Sequence, residues 1–282
     1  MSAVVIRGRE VADQVLDEVA ARVRGRLEAG LRRPHLAVVL VGHNPASETY
    51  VRGKHRDAER VGVASSDHRL PETARTADVL TLVRELNSTP EVSGILVQQP
   101  LPAQIDLAAV VEAVDPNRDI DGFHPVNAGR LLLGQPGLRP CTPNGVLRML
   151  DFADIELAGR RAVVIGRSNI VGKPVALMLL QRHATVTVCH SQTVGLEEFA
   201  RQADVLVAAL GRPHFVKPDM VRPGAVVIDV GVTPMEGKVR GDVDPGVAEV
   251  AGWVTPVPGG VGLMTRAMLM ANTLAAEETR TS

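Results

Sequence analysis

The chain has 282 residues, a hydrophobic content of 45% and a formal net charge of −1, which suits one large domain or two ordinary ones with full cores. Its basic residues are spread along the chain, so we expect no nucleic acid partner. No apolar run approaches the ~18 residues that span a bilayer, and the first residues lack a signal-peptide pattern. We therefore expect no membrane segment and a cytoplasmic location. Two cysteines, Cys141 and Cys189, are too few for a disulfide scaffold or a cysteine zinc site, and we predict no metal.

The first half of the chain alternates helical and strand-like runs. Apolar residues recur with helical period from Val11 to Leu27, and His35–Val41 is a continuous apolar run typical of a strand covered on both faces. Asn44 and Pro45 have the character of an N-cap and a first helical residue. Further predicted elements are a strand near Val63–Leu70, a helix at Thr76–Leu86 and a strand at Gly94–Gln98. This alternation predicts right-handed crossovers onto a parallel sheet.

The second half repeats the pattern after a break. The stretch from Asp115 to Pro143 is rich in Pro, Gly and Asn, and we interpret it as a link between two lobes. The elements predicted beyond it are strands at Arg161–Gly166, Thr185–Cys189, Val205–Ala209 and Ala225–Val230, and a helix that begins at Lys173–Leu180. A last helix, at about 263–278, is expected to leave the second lobe and pack on the first.

These elements predict a two-lobed α/β fold with a cleft between the lobes. The N-terminal lobe would be a three-layer α/β domain of residues 1–140 joined by the C-terminal helix at about 264–282. The second lobe, residues 141–263, would be Rossmann-like and bind a nucleotide.

Tyr50 and Lys54 form the first candidate site. Tyr50 is the only tyrosine, and Lys54 is one of only four lysines in a chain that otherwise uses arginine. Their i, i+4 spacing places both on one helix face, and a partly desolvated lysine can release its proton whereas arginine cannot. The alternative is a solvated surface lysine beside a half-buried tyrosine.

A glycine-containing turn at Gly166–Pro174 follows a predicted strand and precedes a helix, the context in which pyrophosphate binds at a helix N-terminus. Ser168 replaces the middle glycine of the usual fingerprint, so a tight turn that binds nothing is the alternative. No Asp or Glu follows the next strand to hold a ribose 2′-hydroxyl. Ser191, Thr193 and Arg167 would suit a 2′-phosphate, which favours NADP over NAD.

Two further polar residues are expected at the carboxyl ends of strands in the first lobe, where ligands of parallel sheets bind. Gln98 ends one strand, and Asp121 follows the last element of the lobe. Both could line the cleft with Lys54. Alternatively, Gln98 caps a strand, and Asp119 or Asp121 stabilises the turn before Gly122.

Eight motifs occur in the order found in one enzyme family. They are S-x-x-Y-V-x-x-K at Ser47–Lys54, V-Q-x-P-L-P at Val97–Pro102, D-x-D-G-F at Asp119–Phe123, P-C-T-P-N-G at Pro140–Gly145, G-R-S-x-x-V-G-K-P at Gly166–Pro174, C-H-S at Cys189–Ser191, D-V-G at Asp229–Gly231 and P-G-G-V-G at Pro258–Gly262. Over essentially its whole length the chain resembles the bifunctional methylenetetrahydrofolate dehydrogenase/methenyltetrahydrofolate cyclohydrolase family.

The resemblance implies two reactions of one-carbon metabolism. With NADP⁺ the enzyme would oxidise 5,10-methylenetetrahydrofolate to the 5,10-methenyl form, and it would then hydrolyse that product to 10-formyltetrahydrofolate. Carried over to this chain, Lys54 is central to the hydrolysis, Tyr50 stacks on or hydrogen-bonds the folate and orients Lys54, and Gln98 holds the Lys54 ammonium. Asp121 would accept hydrogen bonds from the pterin.

Other roles are implied by the same resemblance. The first lobe would be the folate-binding catalytic domain, and Pro258 and Gly259 would touch the folate substrate. The residues implied to bind NADP are Gly166, Arg167, Ser168, Ser191 and Val232, with Thr142, Gly262 and Thr265. A homodimer through the nucleotide-binding lobe is also implied.

The chain departs from the family pattern at a few positions. Leu263 stands where a second proline is usual, which could loosen the loop before the last helix. Gln99, Arg118 and Val232 stand where Leu, Lys and Ile are common. The alternatives are a shikimate dehydrogenase, a family member that kept only the dehydrogenase, and a nucleotide-binding sensor without catalysis.

Overall fold

The computed structural model describes residues 2–235 and 237–281, apart from the side chains of residues 46 and 281. The chain forms two compact units, each assembled from two separate segments. The first unit comprises Asp13–Cys141 with Arg266–Ser282, and the second comprises Met1–Ala12 with Thr142–Thr265. Among the described residues, no helix combines the length and apolarity that a membrane crossing requires.

The first unit is built on a parallel sheet of three strands, β2, β3 and β4, in the order β3-β2-β4. These strands are His35–Val41, Ala64–Leu70 and Gly94–Val97. The helices of this part of the chain are α1 (Gly8–Glu28), α2 (Pro45–Val61), α3 (Thr76–Ser88), α4 (Leu107–Ala113) and α5 (Pro125–Leu132). One sheet face packs on α3 and α4 through a core of small aliphatic side chains that includes Val39, Val83 and Val110, all fully buried. From Leu36 to Val41 every residue of β2 is buried, as in a strand that is covered on both faces.

The last helix, α9 (Val261–Thr281), contributes its larger part to the first unit. Its Glu277 is completely buried and accepts hydrogen bonds from Arg26 at 3.1 Å, from Arg32 at 3.0 and 2.7 Å, and from Ser93 at 2.8 Å. A buried carboxylate with this many donors is compensated for the water it has lost. These bonds join α9 to α1 and to the segments that precede β2 and β4 in the first unit.

The second unit contains a six-stranded parallel sheet in the order β1-β11-β8-β7-β5-β6. Its strands are β1 (Val4–Val5), β5 (Arg161–Ile165), β6 (Thr185–Cys189), β7 (Val205–Ala208), β8 (Val226–Asp229) and β11 (Trp253–Val254), with helices α6 (Cys141–Phe152), α7 (Gly172–Gln181) and α8 (Leu196–Ala200). A separate antiparallel hairpin joins β9 (Thr233–Met235) to β10 (Lys238–Arg240). The strand order reverses at β5, which is the position where open α/β sheets bind ligands.

The predicted α/β fold with two parallel-sheet units is confirmed, but two details differ. The Asp115–Pro143 stretch is not a simple link, because it contains α5, in which Leu131 is 1% exposed. The contact division also places Ala12 and the residues before it in the second unit, since β1 pairs with β11 through Val4–Trp253 and Val5–Val254. The ligand assigned to each domain stays a prediction.

Candidate active site

Helix α2 carries Lys54 and begins as the sequence predicts. Asn44 precedes the helix, and its Oδ1 atom accepts a hydrogen bond from the Ser47 N–H at 3.3 Å. Its carbonyl accepts a second bond from the Glu48 N–H at 3.0 Å. Tyr50 lies one turn before Lys54 and is 53% exposed, so its ring is accessible for stacking against a ligand.

Gln98 holds the Lys54 ammonium in place. Lys54 Nζ donates to Gln98 Oε1 at 2.8 Å, and both side chains are partly buried. The Gln98 N–H donates to the Val39 carbonyl at 2.9 Å, which fixes the backbone just past the end of β4. Gln98 Nε2 donates to the Gln99 carbonyl, so the amide presents its oxygen to the lysine.

The sequence leaves open whether Asp119 or Asp121 stabilises the turn before Gly122, and the structure distinguishes the two residues. Asp119 Oδ2 accepts hydrogen bonds from the His124 N–H at 2.8 Å and from Asn127 Nδ2 at 2.9 Å, so Asp119 stabilises the turn. Asp121 lies two residues further along the chain, and its carboxyl interacts electrostatically with Lys54. Burial raises the pKa of Asp121 to about 7, although the Lys54 charge opposes this rise and the Asp119 charge adds to it.

The pKa of Lys54 is lowered, which is the direction that proton exchange requires. Burial lowers the pKa of its ammonium, the Asp121 carboxylate acts against that fall, and the Arg266 guanidinium adds to it. A lowered pKa of the amine and a raised pKa of the carboxyl bring the proton affinities of the two groups closer together, which favours exchange of a proton. The arrangement is suited to general acid and base catalysis.

Asn272 on α9 fixes the loop that carries Asp121, a role that the sequence interpretation missed. Its Nδ2 atom donates to the Ile120 and Arg139 carbonyls, each at 2.8 Å. Gly122 lies between these segments with φ +74°, and a Cβ there would lie 2.5 Å from the Arg139 carbonyl carbon. The two segments are therefore in close contact, and only the polar character of Asn272 within an apolar helix could have indicated this from the sequence.

On the second unit, the carboxyl ends of the parallel strands bring together three of the residues predicted to bind NADP. Gly166 follows β5, and its N–H donates to the Cys189 carbonyl at the end of β6 at 2.9 Å. Ser191 follows two residues later and is exposed. Val232 lies just past β8 and is 47% exposed. The sheet therefore presents these residues along one edge.

The turn at Gly166 has the shape of a phosphate cradle. Gly166 has φ +134°, and a Cβ on it would lie 2.2 Å from the Ala209 carbonyl oxygen. A Cβ on Gly172 would lie 2.2 Å from the Gly166 carbonyl oxygen. Ser168 Oγ accepts hydrogen bonds from the Val171 N–H at 3.1 Å and the Gly172 N–H at 3.2 Å. Ser168 therefore binds two N–H groups at the start of α7, and its hydroxyl proton remains available to a ligand.

The surroundings of the β6 end fit a 2′-phosphate. Residues 189–193 contain no carboxylate, while Arg167 and Ser191 are exposed. Thr193 Oγ1 accepts a hydrogen bond from the His190 N–H at 2.9 Å, so this hydroxyl belongs to the turn. Arg167 and Ser191 thus offer the cation and the hydroxyl that a phosphate ester requires.

The other predicted site residues of the second unit lie at two places. Thr142 Oγ1 and Thr265 Oγ1 are hydrogen-bonded at 2.8 Å. Pro258 and Gly259 form an exposed loop, in which the Gly259 carbonyl accepts a hydrogen bond from the Gly8 N–H at 2.9 Å. Gly262 is the second residue of α9 and is exposed.

Leu263 compensates for the proline that the family pattern has at this position. Its N–H donates to the Gly260 carbonyl at 3.2 Å, a bond that proline could not make. The first turn of α9 therefore has a backbone hydrogen bond in place of a fixed φ. Among the described residues, no three His, Cys, Asp or Glu side chains are grouped to hold a metal ion.

Comparisons with known proteins cover nearly the whole chain. Residues 6–121 match the catalytic domain of tetrahydrofolate dehydrogenase/cyclohydrolase, and residues 140–281 match the NAD(P)-binding domain of the same family. The bifunctional protein FolD of Polaromonas naphthalenivorans is 54% identical over 280 residues, which are 99% of each chain.

Solved structures agree with these matches. The bifunctional FolD methylenetetrahydrofolate dehydrogenase/cyclohydrolase of Campylobacter jejuni superimposes with a TM-score of 0.96 at 42% identity, covering 99% of this chain and 100% of that one. The methylenetetrahydrofolate dehydrogenase-cyclohydrolase of Trypanosoma brucei was solved with NADP cofactor and inhibitor. It superimposes with a TM-score of 0.93 at 36% identity, covering 100% of this chain and 99% of that one.

Proposed function

This chain belongs to the tetrahydrofolate dehydrogenase/cyclohydrolase family, and we propose that Lys54, held by Gln98 and faced by Asp121, is the residue on which its hydrolytic step depends. The protein is a bifunctional enzyme. It oxidises 5,10-methylenetetrahydrofolate to 5,10-methenyltetrahydrofolate with NADP⁺ and hydrolyses that product to 10-formyltetrahydrofolate. These matches exclude the alternatives of a shikimate dehydrogenase and of a sensor without catalysis.

For the oxidation, the residues of the chain position the substrate. Bound NADP⁺ supplies the hydride acceptor. Arg167, Ser168 and Ser191 would hold its phosphates and ribose, on the fit described above. The exposed Tyr50 ring would stack on the folate, and the Asp121 carboxylate would accept hydrogen bonds from the pterin N–H groups. Hydride transfer depends mainly on such positioning.

For the hydrolysis, Lys54 exchanges protons with the reacting atoms. Water adds to the methenyl carbon, and the neutral Lys54 amine takes the proton that the water loses. The C–N5 bond then breaks while the new hydroxyl loses its proton, and the Lys54 ammonium returns a proton to N5. One proton per turnover passes to solvent. The single observation that carries this assignment is the 2.8 Å hydrogen bond that holds Lys54 Nζ against Gln98.

The assignment is tested with Lys54→Gln and an assay at two wavelengths, one for NADPH formation and one for loss of the methenyl chromophore. We expect the cyclohydrolase activity to fall to background while the protein stays folded. Arg52→Gln is the matched control, because it removes an exposed cation from the same helix. Hydrolysis retained in Lys54→Gln would remove Lys54 from the mechanism.

We further propose a homodimer through the second unit. The support is a group of exposed apolar side chains around the edge strand β6, which are Val188, Leu180, Val194 and Phe199. Exposed apolar edges favour pairing with another chain. Sedimentation of wild type and Val188→Lys tests this, and a wild-type monomer at micromolar concentration would refute it.

A cytoplasmic location is also proposed. Both cysteines, Cys141 and Cys189, are free and buried, as expected in a reducing compartment. Cell fractionation that places the activity with membranes or outside the cytoplasm would overturn this.

A further inference from the structure

Arg266 on α9 lies directly over the helix that carries Lys54. A Cβ on Gly53 would lie 2.3 Å from Arg266 Nη1 and 3.3 Å from its Cζ. The guanidinium therefore occupies the space that any other side chain at position 53 would need. Since Gly53 immediately precedes Lys54, a permanent positive charge is held against the backbone next to the reactive lysine.

Asp57 keeps the guanidinium at this place. Its Oδ2 atom lies 2.9 Å from Arg266 Nε, and the Asp57 side chain is only 10% exposed. Neither of these two atoms makes a hydrogen bond of good geometry with a described residue, so the attraction of opposite charges holds the pair. Asp57 also feels the charges of Arg56, Arg60 and Asp13, none of which lies in the ion pair itself.

Three groups act on the Lys54 amine. Gln98 accepts its hydrogen bond, and the carboxylate of Asp121 favours the ammonium form. The guanidinium of Arg266 is the cation of this set, and it disfavours the ammonium form. Without it, Asp121 and Gln98 would hold Lys54 protonated more firmly.

We propose that Arg266, clamped over Gly53 by Asp57, is a positioning residue for the hydrolytic step, because its fixed charge favours the neutral amine of Lys54. This inference rests on the proposed function of Lys54. Arg266 acts through Lys54, and it does not itself contact the reacting atoms.

The test is the pH dependence of the cyclohydrolase kcat/KM in Arg266→Met and Arg266→Lys. Methionine keeps an apolar stem and removes the charge, whereas lysine keeps the charge. In Arg266→Met the acid limb of the profile should move to higher pH by about 0.3–1 unit, since loss of a nearby cation favours the ammonium. Arg266→Lys should restore most of the wild-type profile. An acid limb that does not move in Arg266→Met would overturn the inference.

Gly53→Ala provides a second test that keeps every charge. The atom that the new methyl group would meet is the end of a flexible side chain, so the guanidinium moves away while α2 stays in place. The acid limb should again move to higher pH, by less than in Arg266→Met. A profile that stays in place in this variant, with Asp57 and Arg266 intact, would also count against the inference.

Lys54→Gln distinguishes the two levels of the argument. If this variant still hydrolyses the methenyl substrate, then the proposed function of Lys54 fails and the role of Arg266 fails with it. If hydrolysis is lost in Lys54→Gln but the profile of Arg266→Met matches wild type, then only the role of Arg266 fails.

Discussion

Gln98→Glu tests the proton-transfer role of Lys54 with almost no change of shape. The Gln98 oxygen lies 2.8 Å from Lys54 Nζ, so a carboxylate in its place puts a negative charge against the ammonium. Two unit charges ~2.8 Å apart attract by about 6 kcal/mol at an effective dielectric constant of about 20. Desolvation offsets much of this attraction, and an opposite charge this close typically shifts a pKa by about 1–3 units.

The shift raises the pKa of Lys54 and removes its neutral form. Below both pKa values the neutral fraction falls by about 10- to 1000-fold, because each unit is a factor of ten. The methenyl chromophore assay should therefore show that loss in cyclohydrolase rate at neutral pH, with the acid limb displaced upward by about 1–3 units. NADPH formation should fall much less, since hydride transfer needs positioning rather than a neutral amine.

The matched control is Gln135→Glu, which adds the same charge at an exposed position of the first unit. It should leave both profiles unchanged. A Gln98→Glu enzyme that hydrolyses at the wild-type rate at neutral pH, with its acid limb in place, would refute the reasoning.

Three further predictions concern stability, cofactor choice and positioning. Glu277→Ala should lower the free energy of unfolding by about 3 kcal/mol in urea titrations, the low end for a buried ion pair, because Arg32 is partly exposed. Burial acts to raise the pKa of Glu277, but hydrogen bonds from Arg32 and Ser93 outweigh this effect and hold the pKa below 4.5. The stability difference between wild type and Glu277→Ala should therefore shrink as the pH falls below 4.5. A difference that persists in acid would contradict this explanation. Wild type should prefer NADP⁺ over NAD⁺, and Arg167→Ala should reduce kcat/KM for NADP⁺ at least ~10-fold more than for NAD⁺, since a charge-assisted hydrogen bond contributes about 1.5–3 kcal/mol; equal losses would exclude Arg167 from 2′-phosphate recognition. Asn272→Leu removes the amide donor from the Ile120 carbonyl, which keeps only the Cys141 thiol at 3.2 Å, and from the partly buried Arg139 carbonyl. It should cost about 1–3 kcal/mol of stability and lower the cyclohydrolase kcat; an unchanged kcat would limit Asn272 to a structural role.

Local patterns predicted most of the regular structure. The strands His35–Val41 and Thr185–Cys189 were placed at their observed bounds, because a run of aliphatic and β-branched residues between turn signals is a property of the segment itself. The motif at Ser47–Lys54 likewise lies on the helix that its cap and period indicate. The order of such segments was enough to predict two parallel sheets.

What the sequence did not reveal depends on partners far along the chain. Val4–Val5 is too short to predict as a strand, and only its pairing with Trp253–Val254 makes it one. Asp57 and Arg266 are separated by most of the chain, so neither residue alone indicates the ion pair beside Lys54. Gly53 appears in the sequence only as a weak helix former, and its value becomes visible once the guanidinium is seen over it.

The return of α9 to the first unit has a consequence for biosynthesis. The ribosome releases Asp13–Cys141 long before it makes Arg266–Ser282. The two guanidinium groups that bind Glu277, those of Arg26 and Arg32, are therefore synthesised well before their partner. A nascent chain halted at Thr265 would lack the Glu277 carboxylate beside these cations. Completion of the first unit thus requires synthesis through Glu277, and products truncated before this residue should be recognised by cellular proteases as unfinished.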